Sequence, residues 1–429
     1  MLSSAFIYLN HWGLSYPVLN TFLSLLALYL LLSANTATWF LSGALIGLFW
    51  FWWIALSLIH YHMVWAAPIE ILIIMFTYGV LFALISAIAS IPVGCCALTT
   101  PKLGFMQKIY CFICSKWCCQ GTTPYLISLT LKAVGLMTLS YIHPFSFDWF
   151  KPELMFVESY LGIEKFKFAM ILGAIVLSLW RKQILFLFLV VLAYTPTPSS
   201  VPQIDKNITL LTTHTSVEDK WNEALHAKQF QALFNAIDQA IDTHKKLIIL
   251  PESVFPVFLN RSETLLEKLQ NRAKHISIVT GGLYWDGKTP RNSTYIFTDG
   301  KIQVANKVLL VPFGEANPLP DFLSDWVNEV FYDGAVDYKA SSKVSDYTID
   351  GITYRNAICF EATSEKLYEG HPKNMIVLSN NGWFHPSVEA SLQKLLLQYY
   401  SKKYGTTIYH SVNMSDSYIV ENGWAFNPK

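Results

Sequence analysis

The chain has 429 residues, and hydrophobic residues make up 53% of it. Its formal net charge of +1 gives no electrostatic basis for nucleic-acid binding, and its length suggests two or three domains. The charges are unevenly placed: Met1–Ile69 contain no Asp, Glu, Lys or Arg, and residues 1–200 hold 14 of the 61 charged residues. A soluble domain does not leave so much surface uncharged, so we predict a membrane-embedded first half and a soluble second half.

Six apolar segments in the first half are long enough to cross a bilayer, or nearly so: 16–34, 37–59, 66–93, 122–142, 166–180 and 183–196. The last two are short for a span and are separated only by Arg181-Lys182, so we expect a helical hairpin with its turn at the membrane surface. Residues 1–14 are interpreted as the stub of a further helix. The N-terminus lacks the basic region of a cleavable signal peptide, so we expect these segments to be retained.

The lysines and arginines between the segments predict the orientation in the membrane. One loop carries Lys102, Lys108 and Lys116, and Arg181-Lys182 occupy another loop on the same side if the segments alternate. Positively charged loops face the cytoplasm, so the acidic loop 143–165 and everything after residue 197 should lie outside it.

These patterns predict three parts. Residues 1–196 form a transmembrane helical domain, residues 197–204 form an extended linker rich in Pro and Ser, and residues 205–429 form an extracytoplasmic soluble domain.

Strand and helix signals alternate in the soluble half. The predicted strands are Ile208–Thr213, Lys246–Leu250, Ile276–Leu283, Thr294–Phe297, Ile302–Leu310, Tyr347–Ile349, Ile352–Phe360 and Met375–Leu378, with two closing strands near 406–420. The predicted helices are Val217–His244, Glu263–Ala273 with Ser262 as its cap, and Ser387–Tyr404. Asp299-Gly300 and Asp350-Gly351 predict two tight hairpins. The domain is therefore α/β with mixed strand pairing.

Six of the seven cysteines cluster between apolar segments, at Cys95, Cys96, Cys111, Cys114, Cys118 and Cys119. Their spacing does not match a familiar zinc pattern and no histidine lies nearby, so we interpret them as reduced cytoplasmic thiols. Acylation of these thiols beside the membrane is an alternative. Cys359 stands apart in the soluble half, between Ile358 and Phe360. It is either a small apolar residue of a core strand or a nucleophile.

Glu252, Lys307 and Cys359 each lie in or at the end of a hydrophobic strand. Taken singly, Glu252 could cap a turn, Lys307 could sit at a strand edge, and Cys359 could fill the core. Together they suit nucleophilic catalysis, because a carboxylate with a raised pKa can deprotonate a thiol and a lysine can stabilise a tetrahedral oxyanion. The sequence has no motif for a nucleotide, dinucleotide or metal, and we expect no cofactor.

The order Glu, Lys, Cys in these contexts resembles the nitrilase, or carbon–nitrogen hydrolase, superfamily. Such a domain behind a polytopic membrane domain resembles the apolipoprotein N-acyltransferase family. The segments that carry the match are Leu250-Pro-Glu252, Asn306–Glu315, Cys359-Phe-Glu361 and Ser379–Phe384 in the soluble half, and Phe49–Trp53 and Phe147-Asp-Trp149 in the membrane half.

The resemblance implies a polytopic α-helical membrane domain followed by a nitrilase-like α-β-β-α sandwich. It implies that Cys359 is the nucleophile, Glu252 the general base and Lys307 the stabiliser of the tetrahedral intermediate. Glu315 and Glu361 match further acidic positions that support the site, and Trp383 matches an aromatic position near it.

The resemblance also implies the substrates. An acyl chain would pass from a membrane phospholipid, typically phosphatidylethanolamine, through a Cys359 thioester to the α-amino group of the N-terminal diacylglyceryl-cysteine of apolipoproteins. The chain would sit as a monomer in the bacterial inner membrane with its catalytic domain in the periplasm. We interpret Asn317–Ala340, which is rich in aromatic residues, as either a lipid-contacting lid or a loop packed on its own domain.

The alternative is a membrane-anchored amidase that uses the same three residues with water as the second nucleophile. A simple anchor needs one helix rather than six, so the membrane half favours the acyltransferase.

Overall fold

The structure is a computed structural model that describes residues 1–97, 123–196, 205–312, 314–316 and 337–427. The predicted linker 197–204, most of the cysteine-rich loop and most of the predicted lid lie outside these residues. The chain divides into two compact units. The first, here called the membrane unit, comprises Met1–Ala55, Trp65–Pro144 and Asp148–Thr197. The second, the sheet unit, comprises Leu56–Val64, Phe145–Phe147 and Pro198–Lys429.

The predicted apolar segments of the first half are helical in the structure. The helices are α1 (Ala5–His11), α2 (Pro17–Ser33), α3 (Thr36–Phe51), α4 (Ser57–His60), α5 (Ala67–Ala97), α6 (Thr123–Leu139), α7 (Lys165–Arg181) and a 3₁₀ helix at Ile184–Ala193. Among the described residues, three helical stretches are long and apolar enough to cross a membrane: Thr36–His60, Val64–Ile91 and Pro124–Ser146. Pro17–Ser33 and Ile184–Ala193 are apolar but shorter. The hairpin expected at Arg181-Lys182 is present, and Lys182 ends α7 with a left-handed φ of 55°.

Close packing of α3 on α5 depends on two glycines one helical turn apart. A Cβ atom on Gly43 would lie 2.4 Å from the Tyr78 carbonyl oxygen, and one on Gly47 would lie 2.9 Å from the Ile74 carbonyl oxygen. Small residues at this spacing allow two membrane helices to bring their backbones together, where dispersion contacts hold them.

The few charged residues buried in the membrane unit have polar partners. Glu153, which is fully buried, pairs with Lys165 Nζ at 2.6 Å and accepts a hydrogen bond from Ser140. Lys132 is 7% exposed and donates to the carbonyls of Leu32 and Ala34, at 3.2 and 2.6 Å. Such partners offset part of the cost of removing a charge from water.

Twelve strands in the described part of the sheet unit form two mixed sheets. The first has the order β1-β2-β4-β5-β6, with β3 paired to β4; its strands are β1 (Ile208–Leu210), β2 (Leu247–Ile249), β3 (Phe255–Phe258), β4 (Ser277–Trp285), β5 (Pro290–Thr298) and β6 (Lys301–Asn306). The second has the order β12-β11-β10-β9-β8-β7; its strands are β7 (Asp346–Ile349), β8 (Ile352–Ile358), β9 (Asn374–Asn380), β10 (Thr407–Asn413), β11 (Tyr418–Glu421) and β12 (Trp424–Phe426).

Four layers follow from how these sheets and helices bury their apolar faces. The helices of the sheet unit after residue 205 are α8 (Val217–Trp221), α9 (Glu223–Asp242), α10 (Glu263–Arg272) and α11 (Glu389–Tyr404). One core cluster joins the two sheets face to face, with Ile249 and Val279 on one side and Ile376 and Leu378 on the other. A second cluster packs α9 and α10 on the first sheet, and α11 covers the second sheet. The predicted α-β-β-α sandwich is therefore confirmed.

Local predictions fail where a side chain redirects the backbone. The single helix predicted over Val217–His244 is interrupted at Asn222, whose backbone is extended and whose side chain caps α9 by accepting from the Ala224 N–H. Ser262 occupies the N-cap position of α10 as predicted, but its hydroxyl donates to the Phe258 carbonyl and makes no side-chain capping bond to the helix. The chain closes with three strands, β10 to β12, rather than two.

The sheet-to-sheet core sets the stability of the sheet unit. We expect Ile249→Ala to lower the free energy of unfolding by about 2–5 kcal/mol, because it opens a cavity between two sheets where Ile249 is fully buried. Thermal unfolding of the full chain in detergent measures the loss. Ile352→Ala is the matched control, since Ile352 is 42% exposed and its truncation should have little effect. Equal melting temperatures for the two variants would contradict the assignment of this core.

Candidate active site

Glu252 lies in the turn that follows β2. The apolar run of β2 ends at Leu250, whose N–H pairs with the Val279 carbonyl of β4, and Pro251 then prevents the strand from continuing. The turn packs directly on Gly281, where a Cβ atom would lie 2.7 Å from Glu252 Cα. Glu252 is 8% exposed, so the strand end delivers a carboxylate into a nearly dry site.

Lys307 follows the last residue of β6 and is 1% exposed. Its Nζ lies 2.8 Å from Glu315 Oε2 and 3.9 Å from Glu252 Oε1. The amide of Asn292, on the neighbouring strand β5, donates to Glu252 Oε1 at 2.7 Å and to Glu315 Oε1 at 2.8 Å. One ammonium and one amide therefore hold the two carboxylates together.

Cys359 follows the last residue of β8 with a left-handed φ of 53°. A non-glycine residue pays about 1–3 kcal/mol for a sparsely populated backbone conformation, and such residues cluster at functional sites. The side chain is half-buried and accepts a backbone hydrogen bond from Asn380 at the end of β9. The turn therefore fixes the direction of the thiol.

Glu361 joins the cysteine to the lysine segment. Its Oε1 accepts from the Ile358 N–H at 2.8 Å, just before Cys359. Its Oε2 accepts from the N–H groups of Val308 and Leu309, at 2.7 and 3.1 Å, just after Lys307. These bonds explain why the strand predicted over Ile302–Leu310 ends at Asn306: the next N–H groups turn toward a carboxylate instead of a strand.

The site raises the pKa of the Cys359 thiol and of the carboxyl groups of Glu252 and Glu361, the last to about 7. Burial raises the pKa of Cys359, Glu252 raises it further and Lys307 lowers it, so the resting thiol is protonated. Burial also raises the pKa of Glu252, against the lowering effect of Lys307. Burial opposes the charged form of Lys307, but Glu315 and Glu252 outweigh burial and raise its pKa. These mutual effects place Glu252, Lys307 and Cys359 in one electrostatic site.

Comparison with known proteins matches both halves of the chain. Residues 1–197 match the family described as apolipoprotein N-acyltransferase integral membrane domain. The apolipoprotein N-acyltransferase of Wolinella succinogenes is 39% identical over 98% of this chain and 94% of its own length. Those of Helicobacter pylori and Campylobacter jejuni are 32% and 31% identical, over 93% and 98% of this chain and 86% and 87% of theirs.

The chain belongs to the apolipoprotein N-acyltransferase family. A solved carbon–nitrogen hydrolase superfamily protein, XC1258 of Xanthomonas campestris, also matches 51% of this chain and 83% of its own at 16% identity, with a TM-score of 0.37. That likeness is too distant to bear on the reaction.

The structure of this apolipoprotein N-acyltransferase family member brings together Glu252, Lys307, Cys359, Glu315 and Glu361 through the contacts above. Trp383, also singled out from the sequence, lies in the turn after β9. Its ring stacks on Tyr61 at 6.0 Å and meets His60 edge-on at 5.1 Å. In the described residues, no group of three or more His, Cys, Asp and Glu is arranged to hold a metal ion.

Three further polar residues of the site were not identified from the sequence. Asn292 lies before the predicted strand Thr294–Phe297, and the structure extends that strand back to Pro290 and brings the Asn292 amide to Glu252. Glu389 begins α11 and is 3% exposed; burial, with the charge of Glu252 adding, raises its pKa to about 8. Lys220, on α8, is 2% exposed. The two charged residues look like the solvated end of a helix in the sequence, so only tertiary structure could show their burial.

We expect Glu361→Gln to lower acyl transfer and to destabilise the sheet unit by about 1–3 kcal/mol. The amide has one accepting oxygen where the carboxylate has two, so a buried N–H on one side of the site is left facing an NH₂ group. Activity and thermal unfolding of the full chain measure both effects. Glu369→Gln, an exposed change in the segment between β8 and β9, should alter neither. A fully active Glu361→Gln enzyme would show that this carboxylate does not hold the site.

Proposed function

We propose that the chain transfers an acyl chain from a membrane phospholipid to the α-amino group of the N-terminal diacylglyceryl-cysteine of apolipoproteins, by a ping-pong reaction through a thioester on Cys359. Family membership makes the chain an acyltransferase. The observation that carries the mechanism is the buried cluster of Glu252 and Lys307, electrostatically coupled to Cys359.

Acylation begins with a neutral thiol. Because the pKa of Cys359 is raised, the thiolate must form as the substrate arrives, and Glu252 takes the proton. Sulfur attacks the ester carbonyl carbon, a carbon–sulfur bond forms, and negative charge develops on the carbonyl oxygen. Lys307 is the cation that faces this oxygen. The carbon–oxygen bond of the ester then breaks, Glu252 returns the proton to the departing alkoxide, and the lysophospholipid leaves.

In the second half of the reaction, the acceptor amine takes the acyl group from Cys359. The neutral α-amine of the acceptor attacks the thioester carbonyl, a carbon–nitrogen bond forms, and the carbon–sulfur bond breaks. The amine gives a proton to Glu252, which passes it to the thiolate and so restores the resting site. Since the amide product is more stable than the thioester, the second step draws the reaction forward.

Several features of the sheet unit suit a lipid substrate. Phe360, beside the nucleophile, stacks on Phe147 at 5.3 Å, and Trp383 stacks on Tyr61. Phe360 is buried, whereas Phe147, Tyr61 and Trp383 are partly exposed and offer apolar contact to an acyl chain. We propose phosphatidylethanolamine as the donor and a monomeric enzyme in the inner membrane. The lysines and arginines at 102–116 and 181–182 support the orientation that places the sheet unit in the periplasm. The amidase alternative is not favoured, because family membership accounts for the membrane half.

We expect Cys359→Ser to lower transfer to a diacylated lipopeptide by at least about 10³-fold, because the weaker hydroxyl nucleophile replaces the thiol. The assay supplies phospholipid and measures triacylated product. Wild-type protein incubated with phospholipid alone should carry an acyl group that hydroxylamine removes. Vesicles of phosphatidylethanolamine, phosphatidylglycerol or phosphatidylcholine, tested separately, identify the donor headgroup.

The clustered cysteines provide the matched control. A variant in which all six are serine and Cys359 is retained should form the thioester and keep its activity. The mechanism fails if wild-type protein traps no acyl-thioester, or if Cys359→Ser stays fully active.

A further inference from the structure

Lys220 is a buried lysine beside the site that the reaction above does not use. It lies on the short helix α8, where Glu218 and Asp219 face solvent while the Lys220 side chain is 2% exposed. In the part of the chain that the structure describes, no carboxylate lies within ion-pair distance of it. Burying an ammonium without such a partner is costly, so its position requires a reason.

The ammonium of Lys220 donates to the backbone carbonyl of Glu252 at 3.2 Å. This bond and the contact of Gly281 with Glu252 Cα restrain the backbone of the residue, while Asn292 restrains its carboxylate. Ser253, the next residue, has a left-handed φ of 47°, so the turn is strained as well as buried. Lys220 therefore acts on Glu252, the residue that takes up and returns the proton in the proposed reaction.

The charges around this pair come from several elements. Glu252 faces Lys307, Glu315 and Cys359, with Glu389 from α11 and Tyr338 also within electrostatic range. On α9, the ring of His226 bonds the Lys220 carbonyl at 3.1 Å. Burial lowers the pKa of Lys220 to about 8, while Glu252 and Cys359 act to raise it, so Lys220 is still mainly a cation at neutral pH.

Lys307 alone does not provide the positive charge that keeps the Glu252 carboxylate ionised. Its ammonium is closest to Glu315, at 2.8 Å against 3.9 Å for Glu252, and in the reaction it must also face the oxyanion. A second cation allows the Glu252 carboxylate to stay ionised while Lys307 is engaged elsewhere.

We propose that Lys220 is a positioning residue for Glu252, one that holds the backbone of the base and keeps its carboxylate ionised in the resting enzyme, a role that rests on the proposed function of Glu252 as the base. Removing the cation should make the carboxylate easier to protonate. The base would then be lost at a higher pH, and the acid limb of the rate profile would move upward.

The test measures the rate of thioester formation from phospholipid by the full-length enzyme, without acceptor, between about pH 5 and 9. In Lys220→Met, the acid limb should move to a pH about one unit or more higher, with at least a tenfold lower rate on that limb. Lys220→Gln retains a donor for the Glu252 carbonyl but not the charge, and should show the same upward movement. Lys220→Arg retains both and should keep the limb at the wild-type pH, whatever its maximal rate.

Lys132→Met is the matched control, because Lys132 is also a buried lysine that donates to backbone carbonyls, but in the membrane unit. It should lower stability without moving the acid limb. If the Lys220→Met protein does not accumulate, the acid limbs of Lys220→Gln and Lys220→Arg are compared to test the role of the charge. An acid limb at the wild-type pH in Lys220→Met or Lys220→Gln would overturn the role of Lys220, whereas absence of the thioester in wild-type protein would overturn the proposed function instead.

Discussion

The carboxylate of Glu361 is the contact on which the geometry of the site depends. It joins the end of β8, in one sheet, to the segment after β6, in the other, through three backbone N–H groups. Hydrogen bonds to a charged group are stronger than those between neutral groups, so a single side chain can hold both strand ends. The left-handed backbone at Cys359 is tolerated because this carboxylate fixes the residue before it. Nucleophile and lysine, distant in sequence, thus lie at the same edge of the sandwich.

The base reaches that edge by different means. Glu252 follows a central strand of the first sheet, and Gly281 lets its backbone lie against the neighbouring strand. Asn292 then links Glu252 to Glu315, which also accepts from Lys307. Each polar atom of this network shares its hydrogen-bond partners with the others. Loss of one partner therefore leaves a buried charge uncompensated. The rigidity of the site therefore comes from shared partners rather than from any one strong bond.

Part of the site can be predicted from the sequence, because its ionisable residues interrupt apolar runs. Each of Glu252, Lys307 and Cys359 ends or interrupts a hydrophobic run at a strand end. The Asp-Gly pairs at 299–300 and 350–351 predict the hairpins that make the sheets mixed. Glu315, Glu361 and Trp383 needed the family resemblance. Neither the strand-end pattern nor the family resemblance identified Asn292 and Lys220, because polar residues in a strand or a short helix are as common on the surface as inside. The break at Asn222 was missed for a similar reason: a helix interior tolerates asparagine, and its capping role appears only once the chain turns.

The charge balance of the site explains why a protonated thiol is an advantage. Burial raises the pKa of Glu252, that of Glu361 to about 7 and that of Glu389 to about 8, so negative charge is already costly in the resting site. A resting thiolate on Cys359 would add a further negative charge in a place where burial penalises it. During attack the proton moves from Cys359 to Glu252, and the new charge appears on the carbonyl oxygen instead. The net charge of the buried site is the same before and after, so the site does not have to stabilise a change in its total charge. It has only to stabilise the movement of that charge over a few ångströms, which fixed groups such as the Lys307 ammonium do without reorganising.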